Sequence, residues 1–321
     1  MFNMGCSRRL DTSLKRYRQV QIWAPLWLML IATPHSHVSI SAEASKKTHV
    51  EEIRHVKNSG SKTFIRYYDA LIKLVLDLSV EAYGPYVLIE ERRAMSPQRA
   101  VLGLKRGEWH SLVNTDLSPH FRKQNEIDIF TRPYLQNLMG LRRSIIRKQD
   151  TNRFSGIDRL EDLQKLSAGQ GAYWTEVEIY RQSGINVISA EHYSNLVPML
   201  KNGRFDFLPL SVLEVDDAMA DISQTQTSLT ITNSFYIYYP LPVQIVVGKA
   251  NNSIWQRYQY GINKGFTSGA IPTLFDLHFP QAKNLTLRKD TPIIYLTHTM
   301  LEEEENIKIV RQFQQSWIKA N

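Results

Sequence analysis

The sequence predicts an α/β protein of two lobes built alike, each with a parallel-rich sheet flanked by helices. The first observation is a repeated phrase: "LKRGEWHSLVNTDLS" (104–118) and "LKNGRFDFLPLSVLE" (200–214) share Leu, Lys, Gly, an aromatic residue and Leu at matching positions. The second is the order strand, helix, strand, helix, strand on both sides of a midpoint near residue 145. Alternation of strands with helices indicates parallel sheets, and 321 residues suffice for two such units.

The elements of the first half follow from apolar spacing and from turn residues. One short strand is expected within residues 45–60. A helix follows over 64–78, where apolar residues recur at i, i+3, i+4 and i+7, and "YGPY" (83–86) ends it before the strand "YVLIE". Ser96 and Pro97 have the character of a helix start, Gly107 that of a helix end, and a short buried strand follows at 109–113.

The second half repeats this pattern. A helix is expected near 173–181, a strand at 184–189, a second helix that ends at Gly203, and a strand at 205–210. Because helix–Gly–strand joints are common, chance similarity of the two phrases is the alternative interpretation. The last third adds a strand within 238–250, a helix around 254–262, and a C-terminal helix that begins with the acidic run 302–305 and buries Val310, Phe313 and Trp317. We expect these last helices to pack on the first lobe.

The N-terminus has the character of an export signal. A basic stretch precedes the apolar run Ile22–Ala32, and Ala42–Ala44 has the A-x-A form of a signal-peptidase site. The apolar run is shorter than the roughly 20 residues that a membrane span requires. We therefore expect residues 1–44 to be a cleaved signal peptide and the mature chain to lie in the periplasm; an uncleaved N-terminal anchor is the alternative.

Composition excludes several classes of function. The net charge of +8 owes much to five basic side chains within the first 18 residues, and "GLRRSIIRK" (140–148) is more typical of a strand than of a phosphate-binding face, so nucleic-acid binding is not expected. Cys6 is the only cysteine and precedes the cleavage site, so the mature chain would have neither a disulfide nor a Cys-ligated metal. The sequence contains none of the hydrolase, metalloprotease, P-loop or dinucleotide motifs. The nine histidines show no ligand spacing, and neither a cofactor nor a metal is expected.

Several phrases in order resemble the periplasmic solute-binding proteins of family 3, the polar amino-acid-binding type. "TDLSPHFRKQNEIDIFTRPY" (115–134) is similar to the family's Ser/Thr-x-x-Arg segment with its Phe-Thr-x-Pro-Tyr ending. "GIDRLEDLQKLSAGQG" (156–171) and "INVISAEHYSNLVPMLKNGRFD" (185–206) resemble the start of the second lobe and its V-x-x-Y…L-x-x-L-x-x-GR-x-D stretch. The segment 244–279 is similar to the part that returns the chain to the first lobe.

The resemblance implies a type II periplasmic binding protein fold with a hinge between the lobes. Lobe 1 would comprise 45–138 and 246–321, and lobe 2 would comprise 139–245. A ligand would lie in the cleft between the lobes, which close by a hinge motion. The repeated phrase would then mark one corresponding strand in each lobe, both ending at the cleft, which is where open α/β sheets bind ligands.

In the first lobe, the resemblance places Arg122 where the family arginine grips the ligand carboxylate, a task that suits a guanidinium fork. Ser118 lies four residues before Arg122 rather than three, and the alternative is an exposed arginine beside Lys123. Thr115 and Asp116 follow the first-lobe strand and are expected to face the cleft.

In the second lobe, the candidates lie before a helix and after the strand of the second phrase. "AGQGAYW" (168–174) precedes a helix whose free N–H groups suit an anion, and it supplies Gln170, Gly171 and Trp174; an ordinary loop and a core tryptophan are the alternatives. Ser211 stands where the family usually has an Asp that pairs with the ligand ammonium, and Glu214 is the nearby substitute. This departure puts an α-amino-acid ligand in doubt and leaves other small polar solutes open.

These observations predict a monomeric binding protein rather than an enzyme. It would capture a small polar, carboxylate-bearing solute for an inner-membrane permease. A secreted sensor or interaction module of the same fold and an exported hydrolase with an unrecognised site are the rival hypotheses. A neighbouring permease gene would favour transport, and turnover of an ester or peptide panel would favour the hydrolase.

Arg122 should contribute more to ligand binding than its neighbour Lys123. Charge-assisted hydrogen bonds contribute about 1.5–3 kcal/mol, so Arg122→Ala should weaken binding on the order of 10- to 150-fold. Lys123→Ala should change affinity little, since exposed charges contribute about 0–1 kcal/mol. Calorimetric titration of both variants with one ligand is the measurement, and equal affinities would remove Arg122 from the site.

Overall fold

The computed structural model describes residues 50–57, 61–91, 97–115, 124–224 and 227–319. The α-helices of this part are α1 (Lys62–Asp77), α2 (Val80–Tyr83), α3 (Pro97–Arg106), α4 (Thr151–Phe154), α5 (Leu160–Leu163), α6 (Glu176–Gln182), α7 (Leu196–Lys201), α8 (Val215–Ser223), α9 (Asn252–Thr267), α10 (Ala270–His278) and α11 (Glu303–Trp317). The strands are β1 (Glu51–Val56), β2 (Tyr86–Glu91), β3 (Ser111–Asn114), β4 (Ile127–Thr131), β5 (Leu141–Arg147), β6 (Ser167–Gly171), β7 (Asn186–Ala190), β8 (Phe207–Ser211), β9 (Leu229–Ile231), β10 (Tyr236–Tyr238), β11 (Gln244–Gly248), β12 (Leu287–Arg288), β13 (Ile293–Tyr295) and β14 (Ile318–Lys319).

Two sheets form the two lobes, and their strands correspond place by place. The first sheet has the order β2-β1-β3-β11-β4, and the second contains the order β7-β6-β8-β5-β10. In each sheet the first three strands are parallel and the fourth is antiparallel to both of its neighbours. The predicted two-lobed α/β architecture is therefore confirmed.

The repeated phrase forms the same structure in both lobes. It contributes α3 and β3 to the first lobe and α7 and β8 to the second, and β3 and β8 are the third strands of their sheets. Gly107 and Gly203 end the two helices with φ of 67° and 70°, a left-handed conformation that glycine adopts without strain. The similarity thus marks equivalent joints rather than a chance match.

Two neighbouring crossovers connect the sheets, from β4 to β5 and from β10 to β11, and a later passage leads from β11 through α9, α10 and β12 to β13 of the second sheet. The two neighbouring crossovers are in contact at Gly140, where an added Cβ would lie 1.7 Å from the carbonyl oxygen of Tyr239. The N–H of Tyr239 donates to the carbonyl of Gly140 at 3.3 Å. Only glycine permits this contact, because any side chain would overlap the neighbouring backbone.

The C-terminal segment reaches both lobes. Helices α9 and α10 pack on α1, as expected for the first lobe. Strand β13, however, pairs with β10 at the outside of the second sheet, which the division of the chain at residue 246 did not anticipate. The lobe boundaries proposed from the sequence remain a prediction, and residues 293–295 belong to the second sheet.

Hydrophobic packing continues from one lobe into the other. The largest cluster of buried side chains contains α1, β11, α9 and α10 of the first lobe together with Val212 and Leu213, which directly follow β8. Polar contacts accompany this packing, since Thr63 donates to Asp217 at 2.7 Å and Gln281 donates to the carbonyl of Leu213 at 3.0 Å. The end of β8 is therefore covered by the first lobe.

Among the residues that the structure describes, no helix is long and apolar enough to span a lipid bilayer. Residues 1–44, which the sequence predicts to be a signal peptide, lie outside the described ranges. Their removal after Ala44 therefore remains a prediction.

Phe313 of α11 should be essential to the junction between this helix and the second sheet. It is fully buried, and its ring stacks on Tyr238 of β10 with 3.8 Å between centroids. Phe313→Ala should lower the free energy of unfolding in urea by about 3–5 kcal/mol, because it leaves a cavity. Gln315→Ala, at an exposed position of the same helix, should change it by no more than about 0.5 kcal/mol. Similar values for the two variants would contradict the packing described here.

Candidate functional site

The carboxyl ends of β6 and β8 bring four of the predicted site residues to one edge of the second sheet. Gln170 and Gly171 end β6, Ser211 ends β8, and Glu214 follows three residues later. All four are buried. β6 and β8 run parallel, so their carboxyl ends meet at the same edge, where open α/β sheets bind ligands.

Arg142 is the charged centre of this edge. It stands opposite Ser211 in the pairing of β5 with β8 and is only 2% exposed. Its Nη2 donates to Glu176 Oε1 at 2.7 Å, its Nη1 lies 3.8 Å from Glu214 Oε1, and its guanidinium lies 5.3 Å from the ring centre of Tyr239. A buried charge needs such partners, because desolvation of an unpaired guanidinium is costly.

Glu214 lies farther from the Arg142 guanidinium than Glu176 does. Two carboxylates, Glu176 and Glu214, face one guanidinium. Burial raises the pKa of Glu214 above its ordinary value of 4.5, and it outweighs the opposing effects of Arg142, Ser61 and the N–H of Ser211. Glu214 therefore has a stronger tendency to bind a proton, or to accept a donor, than a carboxylate in water.

The hydroxyl of Ser211 is engaged by backbone groups. It donates to the carbonyl of Leu138 at 3.2 Å and accepts from the N–H of Leu213 at 3.3 Å. These bonds join the end of β8 to the crossover that leads into β5. In this arrangement Ser211 orders the backbone beside Glu214, and its hydroxyl is already used.

Gln170 is buried with an amide that has no hydrogen-bond partner among the described residues. It is 1% exposed, and within the described ranges neither its Nε2 nor its Oε1 is paired with another group. The strand register places Pro209 of β8 beside Gln170 of β6 on one side and beside Ser144 of β5 on the other. The buried Oγ of Ser144 is also unpaired among the described residues. Arg142 lies on the same side of β5 as Ser144, because alternate residues of a strand share a face. Buried amides are nearly always hydrogen-bonded, so Gln170 is suited to a molecule that supplies both a donor and an acceptor.

Trp174 fills the space beside Gly171. An added Cβ on Gly171 would lie 2.5 Å from the indole, and the Trp174 ring lies 6.1 Å from that of Tyr193. Trp174 is half-buried and packs against a hydrophobic cluster that includes Leu208. A role for Trp174 in ligand binding remains a prediction, and Tyr173 is 79% exposed.

The first-lobe candidates lie mostly outside the described residues. Arg122 and Asp116 both fall in the range 116–123 and keep the roles that the sequence predicts for them. Thr115 is half-buried and directly follows β3. Beside it, Gln244 of β11 pairs with Asn114 in the sheet, donates to Thr131 Oγ1 at 3.2 Å and has an unpaired buried Oε1.

Arg142 and Glu176 were not predicted as site residues. Arg142 lies in "GLRRSIIRK", where only its alternation with Ser144 and Ile146 indicates a buried face. Glu176 lies in the first turn of α6, a position where an acidic residue ordinarily stabilises the helix dipole. Sequence alone does not pair these two residues, because 34 positions separate them.

A Ser–His pair in the first lobe bears on the hydrolase hypothesis. Ser111 Oγ lies 2.8 Å from His55 Nδ1 and 2.5 Å from the hydroxyl of Tyr258. His55 is 2% exposed and Ser111 fully buried, and burial lowers the pKa of His55 to about 4. The three side chains link β1, β3 and α9 inside the core.

Two pockets in the described part of the chain lie away from this edge. One of about 730 Å³ lies beside α11, and one of about 420 Å³ is lined by residues 124–129 and Lys249. Neither includes Gln170, Ser211 or Glu214. Within the described ranges, no group of three or more His, Cys, Asp or Glu side chains is arranged to hold a metal.

No family model matches the chain, and no curated protein matches its sequence. Solved structures match its fold. They include a Salmonella typhimurium periplasmic binding protein with high arginine specificity (14% identity, 72% of this chain and 100% of that chain, TM-score 0.51). They also include the GluR0 ligand-binding core in complex with L-glutamate (12%, 73% and 99%, 0.51) and an ancestral arginine-binding protein bound to glutamine (16%, 72% and 99%, 0.51).

These similarities establish the fold. The chain has the two-lobed architecture of periplasmic binding proteins, and the resemblance drawn from its phrases is confirmed at this level. At sequence identities of 12–16%, these structures do not indicate which ligand this chain binds.

The stability of the protein should depend on pH through Glu214. Because its pKa is raised in the folded state, the protonated form supports folding below about pH 4.5, and this support is lost as the pH rises through the folded-state pKa. Glu214→Gln should therefore become progressively more stable than the original chain between pH 4.5 and 8, as measured by urea unfolding. Glu191→Gln, at an exposed position, is the control and should show no such trend. A pH-independent difference for Glu214→Gln would contradict the raised pKa.

Proposed function

We propose that this chain is a solute-binding protein of the periplasm, which captures a small polar, carboxylate-bearing solute between its two lobes and presents it to a membrane transporter. The fold supports this proposal, since similar structures include proteins that hold glutamine or L-glutamate. The predicted signal peptide supports export. In this proposal the protein binds its solute and does not transform it.

The observation that carries the proposal is the unpaired amide of Gln170. Burial of an amide without partners costs about 1–3 kcal/mol, and a solute that pairs with it would recover that free energy. Gln170 lies at the end of β6, where the fold favours a ligand. An amino-acid-like solute has both a carboxylate that accepts and an ammonium that donates.

The remaining roles follow from charge. We assign the solute carboxylate to Arg122, as the resemblance implies, and its donor groups to Glu214. Glu214 has an incompletely neutralised carboxylate, whereas Glu176 is already held at 2.7 Å by Arg142. The proposed site also includes Thr115, Asp116, Gly171 and Ser211, which shape its walls and hold its backbone in place. Trp174 packs against Gly171.

Substitution of Gln170 should separate binding from stability. Gln170→Leu should raise the free energy of unfolding of the ligand-free protein by about 1–3 kcal/mol, because it removes an unpaired buried amide. The test is thermal unfolding with L-arginine, L-glutamine, L-glutamate, organic acids, amines and sugars. A bound solute at 100 times its dissociation constant should stabilise the original chain by about 2.7 kcal/mol, and Gln170→Leu should lose this gain.

Gln182→Leu, at an exposed position on α6, is the matched control and should keep the response to the solute. If Gln170→Leu also keeps it, Gln170 is not part of the site. If no compound stabilises the original chain, the proposed solute class is wrong.

A further inference from the structure

The outer edge of β13 has unpaired backbone groups. Strand β10 uses the other edge: the N–H of Tyr236 donates to the carbonyl of Pro292, the N–H of Leu296 donates to the carbonyl of Tyr238, and the register places Ile294 between these bonds. In a parallel pair of strands, every second residue of β13 bonds to β10, and the residues between them direct their N–H and C=O groups away from β10. Within the described part of the chain no strand pairs with that side, which belongs to Ile293, Tyr295 and Thr297.

A groove of about 730 Å³ lies beside this edge. Tyr295, Thr297 and Thr299 line one side, and α11 lines the other. The helix runs back along the strand, because a short connection joins them and Gln314 near the end of the helix donates to the Tyr295 hydroxyl at 3.2 Å. Tyr295 is 38% exposed and Ile307 of α11 is 49% exposed, so the groove offers apolar surface to water.

Two charges flank the apolar centre of the groove. Glu303 and Arg311 both line it, both are exposed, and neither forms an ion pair within the described ranges. They are eight positions apart in the helix, or about 12 Å along α11. Four residues of an extended strand span about 13 Å and return the side chain to the same face.

We propose that this groove binds an extended peptide segment of a partner protein, which adds to the outer edge of β13 as a further strand. Its backbone would pair with the free N–H and C=O groups of the edge, as in other complexes formed by strand addition. On the face toward α11, the segment would carry an acidic residue near Arg311, an apolar residue near Ile307 and a basic residue near Glu303. The acidic and basic residues would thus be four positions apart. This surface is independent of the proposed solute site.

The probes are two fluorescein-labelled peptides, Thr-Thr-Lys-Thr-Leu-Thr-Asp-Thr-Thr and Thr-Thr-Asp-Thr-Leu-Thr-Lys-Thr-Thr. They present the same charges in opposite order, so they correspond to antiparallel and parallel addition to β13. Fluorescence anisotropy with the purified chain should show that one peptide binds about tenfold more tightly than the other, as expected from two partly exposed ion pairs. The double variant Glu303→Lys with Arg311→Glu should reverse this preference.

Backbone pairing is tested separately from charge. Two N-methylated forms of the tighter peptide are made, one methylated at the odd-numbered residues and the other at the even-numbered residues. Only one of these sets directs its N–H groups toward β13, so methylation of that set should abolish binding and methylation of the other should not. Thr297→Pro removes an outward N–H that has no partner among the described residues, so it should weaken peptide binding while the thermal unfolding temperature is retained.

Three outcomes would overturn the proposal. They are the absence of binding by both peptides at millimolar concentration, an unchanged preference in the double variant, and equal binding of both N-methylated forms. Sedimentation of the chain alone provides a further check. A dimer that the peptide dissociates would assign this edge to a second copy of the chain instead of a partner peptide.

Discussion

The close contact between the two crossovers at Gly140 and Tyr239 is the constraint on which both lobes depend. It leaves no space for a side chain at position 140. One crossover supplies the antiparallel strand of the second sheet and the other supplies that of the first, so a displacement here would disturb both sheets. The same contact positions Arg142 of the candidate site. Arg142 follows Gly140 by two residues, and its guanidinium lies over the ring of Tyr239.

The carboxyl ends of the strands in the second sheet contain buried polar groups that lower the stability of the fold. Arg142, Glu176 and Glu214 are buried together, and the amide of Gln170 is unpaired. A well-packed apolar core at the same place would avoid these desolvation costs. Proteins commonly accept such costs where a site must recognise a polar molecule, and several of these groups lie together at the carboxyl ends of β6 and β8. Elsewhere the second sheet is covered by ordinary hydrophobic clusters.

The sequence predicted the parts of the fold that depend on local chemistry. The helix–Gly–strand phrase correctly indicated β3 and β8 as equivalent strands, because a positive φ at Gly107 and Gly203 is a local requirement. Strand β13 escaped prediction because three residues with no periodicity are defined by their partner β10, 57 positions earlier in the register. In the site, Gln170 was proposed from its position before a helix and Glu214 from the resemblance at Ser211, and both remain predictions. Arg142 was not proposed, because its contact with the Glu176 carboxylate forms only on folding.

The order of strands in the two sheets has a consequence for how the chain reaches its folded state. The strands β5 to β10 of the second sheet lie within one continuous stretch, 141–238, whereas the first sheet is completed only when Gln244 pairs with Asn114, 130 positions earlier. A chain that emerges N-terminus first therefore makes β1, β2 and β3 long before β11 can cover the edge of β3. Pairing between such distant segments is slow, because closing a long loop costs entropy before any contact offsets it. During that interval the edge of β3 and the whole of β4 are open to misassembly or to capture by a chaperone.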